Sequence, residues 1–215
     1  QMSRRKWNGP WWHMAALCEM GETQRIPRSA ANRAMDLLKN GAWSRFVIND
    51  SDAPQSNADR EKMDCCHCEL GVFYRVLAEC GIDVDAELPW MRQWFLQHQL
   101  PDGGLNCDPS AYNGSHKSSI VSTMPPLEAI LFFTSRPFTD AEGSFLDDGA
   151  RYLIEHRLVC SQRTGEVINE DWPKPLFPRF FEYDILRGLA YLVEWSKRRN
   201  KPLPRAVIAE GLERL

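Results

Sequence analysis

The chain has 215 residues, 43% hydrophobic and 26% charged, a composition that suits one soluble helical-repeat domain spanning 1–215. A net charge of −3 without a long like-charge tract gives no footprint for nucleic acid, and no apolar run approaches the ~20 residues that span a bilayer. Seven cysteines, an odd number in a chain that needs no staples, predict reduced thiols; with no signal-peptide stretch after Gln1–Lys6, the expected compartment is cytoplasmic.

In chain order, an apolar stretch through Trp7, Trp11 and Trp12 closes on Leu17-Cys18-Glu19-Met20-Gly21. Gly just past a helix supplies its left-handed stop. A proline that can sit in a first turn, Pro27, then opens Arg28 to Asn40. The pattern repeats: the stretch after Asp64-Cys65-Cys66-His67-Cys68 closes on Leu77-Ala78-Glu79-Cys80-Gly81, and Pro89 opens Trp90 to Gln99. Asp83-Val84-Asp85, between them, reads as polar turn. Ser118 to Phe133 has helical spacing despite Pro125-Pro126, which should kink it or delay its start, and Phe145 to Leu158 follows as its partner. Tyr183 to Trp195 carries a weaker copy of the stop, Leu192-Val193-Glu194-Trp195, without the glycine. Pro204 opens the last helix, Arg205 to Leu215, and the basic cluster Lys197-Arg198-Arg199 reads as solvated surface, like Arg4-Arg5-Lys6.

In each pair the first helix is the more apolar and the second amphipathic. Helical repeats bury apolar faces on their neighbours, so the pattern predicts an all-α fold, an α/α toroid or partial toroid of about four inner-outer pairs. An irregular helical bundle is the alternative. The long connections Ala42 to Lys62, Leu100 to Ser115 and Val159 to Phe180 all lead from an outer helix to the next inner one, which places them together over the inner-helix N-termini.

The segment Gln99-Leu100-Pro101-Asp102-Gly103-Gly104-Leu105 resembles the QW motif of the terpenoid cyclase and protein prenyltransferase superfamily, with Gln99 and Gly103 in place and Leu105 where the motif has Trp. Ser115 to Ser119, leading to Leu127-Glu128-Ala129, resembles the start of an inner helix in that family. Its members close the ring with more pairs than the four here, so the resemblance implies a reduced toroid or an arc completed by self-association. The Asp-x-Asp-Asp acid of squalene-type cyclases does not occur.

The prenyltransferase branch holds zinc through an Asp-x-Cys at one inner-helix start and a His at a later one, and Asp64, Cys66 and His116 reproduce those types in order. Zinc accepts all three donors and can leave a fourth position for substrate, where a thiol is held as thiolate. Cys68 and Cys107 are alternative ligands, His67 could replace His116, and plain packing of a Cys-rich helix start is the competing account. Trp11, Trp12, His13, His67 and Phe181 are candidates to line an apolar substrate pocket, or to be core. Glu182, Tyr183 and Asp184, where the fourth inner helix begins, are candidate catalytic groups, an N-terminal carboxylate being otherwise a helix-dipole partner.

The resemblance implies an isoprenoid-related cyclase or prenyltransferase-like enzyme that takes an apolar small molecule. Two other classes fit the same pattern: a non-catalytic toroid that binds a lipid or protein partner, and a carbohydrate-active α/α barrel.

Overall fold

The structure is a computed structural model that describes residues 9–40, 43–45, 48 and 63–215. Trp7, Arg4-Arg5-Lys6, Lys62 and most of the connection from Ala42 to Lys62 lie outside the described residues. Helices form at the four expected pairs, but the second helix of the third pair starts at Asp140, before the expected Phe145, because Thr139 and Glu142 form a capping box there. The predicted inner helices are α1 (Pro10–Glu19), α3 (His67–Glu79), α7 (Ile120–Phe133) and α9 (Ile185–Arg198). Their outer partners are α2 (Arg28–Lys39), α5 (Pro89–Gln97), α8 (Asp140–Glu155) and α10 (Arg205–Glu213), with short helices α4 (Val84–Glu87) and α6 (Ser110–Asn113) between. Among the described residues the fold is all-α apart from two three-residue strands, β1 (Trp43–Arg45) and β2 (Met63–Cys65), paired in parallel with Ser44 opposite Asp64.

The repeated stops are one backbone motif used three times. After α1, Gly21 has φ +72° and the Glu22 N–H donates to the Leu17 carbonyl at 2.8 Å. After α3, Gly81 has φ +74° and Ile82 donates to Leu77 at 3.0 Å. After α9, Asn200 takes the left-handed position at φ +50° and Lys201 donates to Ser196 at 2.9 Å. Asparagine is the residue that best stands in for glycine there; the helix runs through the expected stop at Leu192-Val193-Glu194-Trp195 and ends about one turn later, at Arg198.

Pro125 and Pro126 sit inside α7 rather than at its edge. They remove two in-helix donors, and close packing on α3 compensates: the backbone of Pro125 lies against Gly71, where there is no side chain to hold it off. On the other side of α3, Trp11 of α1 stacks on Phe73 with ring centroids 3.6 Å apart.

The segment before α9 packs on α1. Both carboxylate oxygens of Glu19 at the end of α1 accept backbone N–H groups, from Arg179 at 2.7 Å and Phe180 at 2.6 Å, and Trp12 packs on Phe180 and Phe181. Outside, the Gln99 amide nitrogen donates to its own turn at the Gly103 carbonyl and to the Phe145 carbonyl of α8, both at 2.8 Å. The motif-like glutamine is thus a tie between successive outer helices.

The connections following α5 and α8 fold over inner-helix N-termini, as expected from their order. Ser119, the residue before α7, donates to Leu105, and Ile185 at the start of α9 donates to Trp172. Asp83-Val84-Asp85 differs from the simple turn expected: Asp83 caps α4, and Asp85 is held by Arg92 and Tyr74.

Candidate metal centre

Three cysteine sulfurs converge where the α5–α7 connection crosses the start of α3. Cys66, with extended backbone, is the residue before the helix, and Cys68 is its second residue. The Cys66 and Cys68 sulfurs are 3.1 Å apart, Cys107 is 3.5 Å from Cys68, and all three lie within 4.8 Å of one another. The change from extended to helical backbone brings the two sulfurs of a Cys-x-Cys step to the same side.

Cys107 is delivered by a braced loop. Its N–H donates to the Ser122 hydroxyl of α7 at 3.0 Å, and the neighbouring Leu105 N–H donates to Thr123 at 2.8 Å. The Tyr112 hydroxyl meets both the N–H and the carbonyl of Asn106 and lies 2.8 Å from His67 Nε2. Burial, with His98 nearby, pushes the His67 imidazole down to about 3, so it is neutral. Its ring is engaged with Tyr112 and does not join the sulfurs.

The thiols share protons. Hydrogen bonding within the trio holds Cys107 well below the usual thiol range and pushes Cys66 and Cys68 up. A cation would replace those shared protons. Sulfurs around zinc at ~2.3 Å stand roughly 3.8 Å apart, so the observed spacing needs only modest adjustment to hold one ion. The donor set fits a soft or borderline metal.

Of the metal ligands expected from sequence, Cys66 is in this group. His116 is not: it is exposed, with φ +50°, and the second and third donors are Cys68 and Cys107, the weighed alternatives. The side chain of Asp64, like that of Cys65, lies outside the described residues. Among the described residues no fourth protein ligand joins the three.

Comparison with family models, curated proteins and solved structures finds no match for this chain. The site itself is the guide to function.

The other expected residues fall elsewhere. Trp11 and Trp12 are buried in the contacts of α1 with α3 and with the segment before α9, Phe181 is half-buried beside Trp12, and His13 is exposed. Asp184 caps α9, accepting from the Arg187 N–H at 2.8 Å, and its other oxygen accepts from Leu176 at 2.9 Å, so both oxygens shape the loop. The Tyr183 hydroxyl is buried against Gly188, and burial pushes it above its ordinary range. Tyr183 and Glu182 also line a cavity of about 530 Å³ with Val121, Trp172, Pro175 and Leu176. That cavity sits at the N-terminal ends of α7 and α9; Val121 is next in sequence to Ser122, which braces Cys107. Ser122 and Tyr112 were not singled out from sequence, where a serine and a tyrosine carry no signal of what they brace.

Proposed function

We propose that this protein is a zinc–thiolate protein built on an α/α toroid, in which Cys66, Cys68 and Cys107 hold the ion and a thiol-bearing substrate takes the open position. The convergence of the three sulfurs carries this reading. The packing of Arg179 and Phe180, just before α9, on Glu19 and Trp12 of α1 is compatible with a ring. Zinc so held would supply acidification of a bound thiol, keeping it as a nucleophilic thiolate at neutral pH.

The reaction class this favours is S-alkylation with an isoprenoid-like donor. The sulfur forms a bond to the terminal allylic carbon, the carbon–oxygen bond breaks, diphosphate leaves with the electron pair, and the thiol proton is released to solvent. In the chain itself, Ser122 and Tyr112 fix the ligand loop, and the cavity has an apolar side of Val121, Trp172, Pro175, Leu176 and Tyr183 that an isoprenoid chain would cover, with Asn169, Asp171, Lys174 and Glu182 completing the wall. Among the described residues no helix is long and apolar enough to cross a membrane.

The test has two stages. Elemental analysis of purified protein should find about one zinc per chain, lost when Cys66, Cys68 or Cys107 is replaced by Ser and kept in Cys160→Ser. Incubation of the zinc-loaded protein with prenyl diphosphates and small thiols should then give a thioether detectable by mass spectrometry. Zinc without thioether would favour the second reading, a structural clip that pins the Cys107 loop to α3. The bracing of that loop by Ser122, Thr123 and Tyr112 is the observation in its favour.

A further inference from the structure

A separate cavity of about 250 Å³ lies farther along the inner helices, lined by Arg75 and Glu79 of α3, Glu128 of α7, Arg187 of α9 and Arg179 of the preceding segment, with Phe132 at its edge. Arg75 is seven residues beyond Cys68, which places the cavity about 10 Å along α3 from the sulfurs. The Gly71–Pro125 contact fills the interval between them on the α3–α7 seam. At ~30 Å³ per water, the cavity has room for about eight waters or one small ligand.

Its acceptors are already engaged. Arg187 grips both oxygens of Glu128 at 2.7 and 2.6 Å and spends its remaining nitrogen on the carbonyls of Phe180 and Glu182. Glu79 accepts from Arg75 Nε at 2.8 Å and from Thr23 at 3.0 Å. The donors are not used up. Among the described residues the two terminal nitrogens of Arg75 have no hydrogen-bond partner. Among the described residues Arg179 makes no side-chain hydrogen bond and only loose ion pairs, with Glu19 at 3.8 Å and Asp184 at 3.7 Å. Three arginines and two glutamates line the cavity, and Glu19 and Asp184 stand behind Arg179, so what the cavity offers a ligand is unused guanidinium donors rather than a net positive charge.

We propose that this cavity is an oxyanion site, in which Arg75 and Arg179 bind the oxygens of a phosphate or carboxylate while Arg187, locked by Glu128, holds the floor. Guanidinium groups suit such ligands because their donors form planar forks that match paired oxygens. The size admits a phosphate, a diphosphate or a carboxylate with a short tail and excludes a long chain. Phe132 offers a tail an apolar neighbour. This site does not depend on the metal reading.

Calorimetric titration of the full chain at low ionic strength with inorganic phosphate, pyrophosphate and hexanoate tests it. One-site saturable binding of at least one probe is expected, and the probe that binds best separates phosphate from carboxylate chemistry. Arg75→Gln and Arg179→Gln should each weaken it at least about tenfold, the loss for a charge-assisted bond, and Arg75→Lys should weaken it less than Arg75→Gln. The exposed Arg163→Gln should leave it unchanged, and so should Cys107→Ser, which removes a metal ligand without touching this cavity. A melting curve for each variant shows that it is folded. No saturable binding of any probe to the folded wild-type chain, or undiminished binding in both Gln variants, overturns the proposal.

Discussion

A Cβ placed on Gly71 would stand 2.4 Å from the carbonyl carbon of Pro125 and 2.6 Å from the nitrogen of Pro126. These are backbone atoms, so no rotamer change relieves the clash. The contact explains how a diproline persists inside the most deeply buried helix. Gly71→Ala should therefore destabilise the fold by about 1–3 kcal/mol through overpacking. Chemical denaturation would show it as a lower midpoint at unchanged slope. The same substitution pushes the start of α3 away from α7, and with it Cys68 from Cys107, so zinc retention in the folded variant should also fall.

The donor set distinguishes two metal sites. If Cys66, Cys68 and Cys107 are the ligands, His116→Ala keeps its metal while Cys107→Ser loses it, and elemental analysis of the two variants decides. Removing the ion with a chelator should lower the melting temperature of the wild type, because an ion bound only by the folded chain stabilises it. Cys107→Ser should be insensitive to the chelator.

Much of the architecture was legible because it rests on local rules. Gly21, Gly81, Pro27, Pro89 and Pro204 mark helix ends through backbone conformations that other residues adopt less readily. The Asn200 stop was less visible because asparagine has many other uses. The metal centre was half legible: Cys66-His67-Cys68 is a local signal, but which distant donor completes it depends on how the α5–α7 connection folds. From sequence, His116 is the expected distant donor and Cys107 an alternative. Tyr112, Ser122 and Thr123 decide between them by hydrogen bonds that have no periodicity to read. The charged cavity was illegible for a similar reason, since Arg75, Glu128 and Arg187 meet only once three inner helices pack together.

Glu128 and Arg187 form a bidentate pair of buried side chains in the wall of the charged cavity. Glu128→Ala should cost about 3–5 kcal/mol, the penalty of an unpaired buried charge. A double variant, Glu128→Leu with Arg187→Met, should recover a large part of that loss. Urea unfolding of the single and double variants would measure both; a single-variant loss below about 1 kcal/mol would show that the pair is not a stability determinant.

Glu142 ties the outer helices together in a way that depends on pH. It completes a capping box with Thr139 at the start of α8, and its oxygens accept from Arg92 of α5 at 2.9 Å and from Arg136 at 2.8 Å. Burial by itself pushes the carboxyl up, but the bonds from Arg136 and the Thr139 N–H, with the charge of Arg92, outweigh it and bring the group down to about 2. The ordinary value is 4.5, so the folded state binds this proton less tightly than the unfolded chain does. Its contribution is therefore fully present above pH ~4.5 and is lost as the pH falls from there toward 2, amounting to up to about 3 kcal/mol. Glu142→Gln should lower the melting temperature at pH 7 and flatten its fall between pH 5 and 3 relative to wild type. Parallel wild-type and variant curves across that range would remove Glu142 as the origin of the acid sensitivity.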